Sequence, residues 1–136
     1  MNSNQVLIVE DDCIIALDVE SELLAAGYEV CGIATSEAEA LAMAGRSPPG
    51  LAVVDVSLSP GDGRRVAKEL ARRYGTIILF ATGECADIRA LTGAGALGCL
   101  PKPYRAEDVP CALGAVDRLG HGKAPGLLPA KMFVVF

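Results

Sequence analysis

Short runs of branched apolar residues alternate with helical patterns along most of this chain. Val6-Leu7-Ile8-Val9 is the first run and Tyr28 to Ala34 the second. Leu51-Ala52-Val53-Val54, Thr76 to Ala81 and Ala96 to Leu100 follow. Apolar runs of this length, bounded by turn-forming or acidic residues, read as buried strands. Between them the period changes. Residues 12–26 predict a helix with Ile14, Leu17 and Leu24 on one face, Asp12 near its start and Gly27 just past its end. Ser36 with Glu39 forms a capping-box pattern before a helix that dies at Gly45, and Ser47-Pro48-Pro49-Gly50 is a loop. Residues 64–74 predict a helix with Val66, Ala67 and Leu70 inward and Gly75 at its end. A thin pattern over Cys85–Thr92 predicts the least stable helix. The last helix is expected over 106–119, with Val109, Leu113 and Val116 on one stripe and Pro110 tolerable only in its first turn.

Strand and helix thus alternate five times, the pattern of a parallel sheet with helices on both faces. Right-handed crossovers favour the flavodoxin-like strand order 2-1-3-4-5. Residues 1–119 would form this α/β domain and 120–136 a tail, linker-like at first and then apolar. The segment Met132-Phe133-Val134-Val135-Phe136 is β-prone. It reads equally well as a disordered end or as a strand docking on this or another subunit, a homodimer contact in the second case.

Composition narrows the function. Of 136 residues, 51% are hydrophobic and only 4% aromatic, and the net charge is -5. That acidity argues against a nucleic-acid surface, because phosphate contacts need clustered Lys and Arg. The Arg64-Arg65 and Arg72-Arg73 pairs fit the solvent face of one helix. Cys13, Cys31, Cys85, Cys99 and Cys111 are scattered and odd in number, so neither a disulfide framework nor a zinc site is indicated, and Cys31 and Cys99 read as small core residues. A reducing cytoplasm follows as the expectation. The N-terminus lacks the pattern of a signal peptide, and no apolar stretch approaches the length of a membrane span. His121, the one His, sits in the Gly-rich linker and reads as a solvated surface residue.

Polar residues gather at the ends of the strands. Glu10 and Asp11 end the first, Asp55 ends the third, Thr82 ends the fourth, and Lys102 follows the fifth. Asp55 alone would read as a turn starter. In the 2-1-3-4-5 order, however, strands one and three are neighbours, and their carboxylates share the crevice where open α/β sheets bind ligands. Clustered acids repel, so a cation belongs among them, and hard oxygen ligands suit Mg²⁺. Ammonium, hydroxyl and metal together stabilise a phosphoryl group in in-line transfer, with Asp55 as the natural nucleophile.

The ensemble Val6-Leu7-Ile8-Val9-Glu10-Asp11-Asp12, Val53-Val54-Asp55-Val56, Ala81-Thr82-Gly83 and Lys102-Pro103 resembles a response-regulator receiver domain of two-component signalling, over about residues 5–119. The resemblance implies that Asp55 accepts phosphate from a sensor histidine kinase or phosphotransfer protein. Glu10, Asp11, Asp55 and the Ser57 carbonyl would hold Mg²⁺. Asp12 would stay outside the metal shell as a helix cap. Thr82 would move toward the phosphoryl oxygen and Lys102 would pair with it. Receivers usually carry Tyr or Phe three residues before the Lys, as a switch; here that place is Cys99. With Phe80-Ala81-Thr82-Gly83 this resembles the FATGUY group, many of which work without an output domain beside HWE-type kinases, although Glu84 stands where the group has Tyr. The segment from Glu84 to Gly95 is then expected to carry the switch.

The leading expectation is a stand-alone receiver that switches binding to a downstream protein target or shuttles phosphoryl groups. It would not be an enzyme beyond self-phosphorylation and slow self-dephosphorylation. The alternative, a small Asp-nucleophile phosphatase, would usually place a second Asp two residues after the nucleophile, where this chain has Ser57. A flavin-binding protein would need a phosphate-cradling loop after strand one, where this chain has three acids.

Overall fold

A computed structural model describes residues 2–83 and 96–134. Five parallel strands form its core: β1 (Asn2–Val9), β2 (Glu29–Ala34), β3 (Pro49–Val54), β4 (Ile77–Thr82) and β5 (Ala96–Pro101). Their order is β2-β1-β3-β4-β5, the flavodoxin-like order expected. Four helices are described: α1 (Cys13–Ala25), α2 (Glu37–Arg46), α3 (Gly63–Tyr74) and α4 (Asp108–Gly120). The thin helix expected over Cys85–Thr92 lies outside the described residues, as does the whole segment from Glu84 to Gly95 expected to carry the switch.

Because strand side chains alternate, the sheet feeds two apolar layers. Leu7, Val9, Ala52, Val54, Ile78 and Phe80 pack with α2 and α3. Val6, Ile8, Leu51, Val53, Leu79 and Ala81 pack with α1 and α4. β3 is buried along its whole length, as its central position requires. Helix starts follow their caps. The Asp12 carboxylate accepts from the amides of Ile14 and Ile15 at 3.0 and 3.3 Å. Ser36 Oγ accepts from Glu39 N at 3.2 Å, while Glu39 reaches back to Thr35 N at 2.7 Å, one residue before the cap. Gly75 ends α3 in the left-handed region.

Two expectations change. The loop expected over residues 47–50 stops at Pro48, because Pro49 and Gly50 begin β3, where a proline is tolerated as the first residue of a strand. In α1 the inward face is Ala16, Val19 and Leu23, whereas Ile14, Leu17 and Leu24 are the large apolar residues left exposed. This helix is apolar on both sides, so periodicity alone did not orient it. For the tail, the reading of a strand docked on this subunit is the one the described residues bear out. Phe133–Val134 form β6, antiparallel to β5, and extend the sheet to six strands.

Candidate functional site

The site is assembled by strand ends. β1 and β3 run in register, Val9 beside Val54, so Glu10 and Asp55 leave the sheet side by side. The Asp55 amide donates to the Val9 carbonyl at 2.9 Å and the Glu10 amide to that of Ala34 at 2.9 Å, which holds both residues by the sheet rather than by a loop. β5 brings the cation. The Lys102 amide donates to the Thr82 carbonyl at 2.9 Å just past the end of the β4–β5 ladder.

The side chains then converge. Lys102 Nζ donates to Glu10 Oε1 and to Asp55 Oδ2, each at 2.7 Å. Glu10 and Asp55 are nearly buried, 4% and 5% exposed. Asp55 Oδ1 accepts from the Ser57 amide at 3.1 Å. Asp11 is exposed, and its Oδ2 accepts from the Ser59 amide at 3.1 Å, tying the loop after β3 to the end of β1. One oxygen each of Glu10, Asp11 and Asp55 lies within 4.8 Å of the others, a spacing that fits a small divalent cation. Thr82 is fully buried at the end of β4, beside this crevice. Asp12 caps α1 and its amide donates to Glu10 Oε2 at 3.3 Å. The expected residues are therefore gathered in one place. The backbone of Ser57 lies against Asp55, its amide on Asp55 Oδ1.

Charge balance explains the electrostatics. Burial penalises ionised Glu10 most strongly, and the charge of Asp55 adds to this; the Lys102 hydrogen bond opposes both, and the Glu10 pKa is pushed up to about 7. Burial works against the Lys102 ammonium too, but its bonds to Asp55 and Glu10 outweigh that and hold its pKa above the ordinary lysine value. A carboxyl raised by folding stabilises the fold fully below its unfolded pKa, near 4.5, and that contribution is lost as pH rises through about 7. The metal-free chain should therefore lose stability between pH 5 and pH 8 by an amount on the order of 2 kcal/mol attributable to Glu10. Urea unfolding across that range, on wild type and Glu10→Gln, checks this: the variant should show the smaller decline, and equal declines would discard it.

The sequence reading passed over Tyr104. It lines a cavity of about 380 Å³ between α1 and the start of the β5–α4 connection, with Ile15, Asp18, Val19, Lys102 and Ala106. Burial, reinforced by the charge of Glu10, raises its pKa to about 12, so it stays a neutral phenol beside the acids. An aromatic two residues after Lys102 was the available signal. Cys99 is fully buried, as expected of a core residue, but it is disulfide-bonded, whereas Cys13, Cys31 and Cys111 are free. Sequence spacing alone does not report that this thiol is bonded.

Residues 6–113 match the family described as response regulator receiver domain. The transcriptional regulatory protein PdtaR of Mycobacterium tuberculosis is 33% identical over 117 residues, covering 84% of this chain and 57% of that protein. The acid tolerance regulatory protein ActR of Rhizobium meliloti is 38% identical over 122 residues, 88% of this chain and 61% of its own length. The chain thus spans little more than half the length of these curated relatives. Among solved structures, a CheY-like receiver domain protein from Methanospirillum hungatei JF-1 superposes with a TM-score of 0.77 at 25% identity, covering 88% of this chain and 97% of that one.

Proposed function

The chain belongs to the response-regulator receiver family, and from that premise we propose that Asp55 accepts a phosphoryl group from the phosphohistidine of a sensor kinase or phosphotransfer protein. The observation that carries this is the convergence of Glu10, Asp11 and Asp55 oxygens around one crevice, with the Lys102 ammonium bonded to two of them. An Asp55 oxygen forms the new O–P bond as the donor's N–P bond breaks, and the leaving imidazole takes the electron pair. Lys102 offsets the charge on the phosphoryl oxygens, and the Thr82 hydroxyl donates to one of them. Glu10, Asp11, Asp55 and the Ser57 carbonyl would hold Mg²⁺, which when bound neutralises the transferred oxygens.

On this reading the chain's own chemistry is limited to taking up the phosphoryl group and slowly losing it to water. The consequence is a change in what a downstream protein binds, or onward transfer. A cytoplasmic setting, where kinases are charged from nucleotide, belongs to the same reading, and no described helix is long and apolar enough to cross a membrane. Incubation with a small acyl phosphate and Mg²⁺, followed by intact mass, tests it. Borohydride reduction then marks the acyl phosphate as homoserine for peptide mapping. One phosphoryl group per chain, at Asp55 and dependent on the metal, is expected. No adduct, or an adduct at another residue, would overturn the reading.

A further inference from the structure

The loop that leaves β3 is held at three points. At its start the Ser57 amide donates to Asp55 Oδ1 at 3.1 Å. In its middle the Ser59 amide donates to Asp11 Oδ2 at 3.1 Å. At its end the Asp62 amide donates to Glu37 Oε1 at 3.0 Å. Ser57 and Asp62 also face each other as an antiparallel bridge, so residues 57–62 form one closed turn, and a hold on one end is felt at the other. Glu37 is the first residue of α2, outside the strands whose ends build the site. Its backbone takes part too, since the Glu37 amide donates to the Pro60 carbonyl at 3.4 Å. Gly61 permits the approach: its φ is 118°, and a Cβ there would lie 2.5 Å from Glu37 Cβ.

The same Glu37 oxygen also pairs with the Arg65 guanidinium at 3.1 Å. The Arg65 side chain is 69% exposed and that of Glu37 only 22%, so the ion pair is screened and the bonds to the loop backbone do the holding. The three carboxylates at the site differ in their support. Glu10 and Asp55 are nearly buried and bonded to Lys102. Asp11 is exposed, and the Ser59 amide is what aims it. Partners one step out from a metal orient the groups that bind it. We propose that Glu37 is a positioning residue for the cation site. By clamping the loop at Pro60 and Asp62 it keeps the Ser59 amide on Asp11 and the Ser57 backbone against Asp55. The inference rests on the Mg²⁺ reading given above and adds to it a residue from α2 that touches neither the metal nor the phosphoryl group.

Calorimetric titration of the full chain with Mg²⁺ alone tests this, on wild type, Glu37→Ala, Glu37→Gln, Gly61→Ala and Arg65→Met. Glu37→Ala removes the acceptor of the Asp62 amide. Gly61→Ala breaks the same contact from the loop side and guards against a first variant that fails to fold. Both should bind Mg²⁺ about tenfold more weakly than wild type, the size usual when a partner that orients a metal ligand is lost. Glu37→Gln loses the charge, as Ala does, but keeps an oxygen for the Asp62 amide. It should bind as wild type does, which separates the hold from the field of a nearby carboxylate. Arg65→Met should bind as wild type does too. Amide exchange at Ser59 and Asp62 should quicken in Glu37→Ala and not in Glu37→Gln. Wild-type affinity in a folded Glu37→Ala or Gly61→Ala, or a loss as large in Glu37→Gln or Arg65→Met, would overturn the proposal. No phosphodonor is present, so an Asp55 that takes up no phosphoryl group would defeat the function proposed above and leave these outcomes standing. Wild type that binds no Mg²⁺ would overturn the cation site and this inference with it.

Discussion

Gly63→Ala is expected to cost on the order of 3 kcal/mol or more, and with it the geometry of Asp55. Gly63 is buried at the first turn of α3, and its amide donates to the Val56 carbonyl at 3.0 Å. A Cβ at this position would meet the Asp55 carbonyl oxygen at 1.9 Å, the Asp55 carbonyl carbon at 2.8 Å and the Val56 Cα at 2.8 Å. All three are backbone atoms of the segment that leaves β3, so no side chain can swing aside. The demand is for room rather than for an unusual backbone angle. Relief requires α3 to withdraw from the β3 end or the Asp55 peptide to rotate, and the Asp55 side chain would then lose its place between Lys102 and the Ser57 amide. Urea unfolding measures the cost, and the acyl phosphate assay measures the effect on the site. Gly83→Ala is the control: it is exposed, just past β4, and an added Cβ there meets nothing within 4 Å. If Gly63→Ala proves as mild as Gly83→Ala, the packing argument is wrong.

That glycine also shows where sequence reading stops. Glu10, Asp55 and Lys102 could be brought together from the sequence because each ends or directly follows an apolar run, and a parallel sheet places such ends along one edge. Thr82 followed by the same logic. Gly63 carries no signal of its own in the sequence, since the close approach of two backbones is set by how α3 packs and leaves no pattern in the chain. The double hold of Lys102 on Glu10 and Asp55 depends on side-chain reach from the end of β5 past β4 to the ends of β3 and β1, which order alone does not give. The orientation of α1 failed for a different reason: Ile14, Leu17 and Leu24 do form a stripe, but Ala16, Val19 and Leu23 form another, and only packing decides between them. In the tail, β propensity was visible in residues 132–136, while the acceptor edge was not, because β5 reads as the last strand of a complete alternation. Cys99 was legible as buried but not as bonded, since five scattered cysteines carry no pairing pattern.

Lys102→Met tests the charge balance on which the site rests. The substitution keeps an unbranched apolar stem and removes the one ammonium bonded to both Glu10 and Asp55. Those carboxylates are almost fully buried and cannot recover water without opening the site. Removing one partner from a buried ion pair costs roughly 3–5 kcal/mol when the remaining charge is stranded. Here part of that penalty has an escape. Glu10 already titrates near 7 with Lys102 in place. Without the ammonium its pKa rises further, and a proton taken up by Glu10 removes one of the two stranded charges. The loss in the metal-free protein should therefore be largest near pH 8, on the order of 3 kcal/mol, and shrink as pH falls below 7. A divalent cation at Glu10, Asp11 and Asp55 supplies charge of the missing sign, so Mg²⁺ should restore part of the stability at pH 8. It should not restore the rate of phosphoryl uptake, which is expected to fall by about 10²-fold, because the ammonium that would offset charge on the phosphoryl oxygens is still missing. Urea unfolding at pH 6 and pH 8, with and without Mg²⁺, separates these effects. A deficit that is the same at both pH values and insensitive to Mg²⁺ would mean that Lys102 contributes by packing its stem, as it does in the cavity with Tyr104, and not by balancing the two acids.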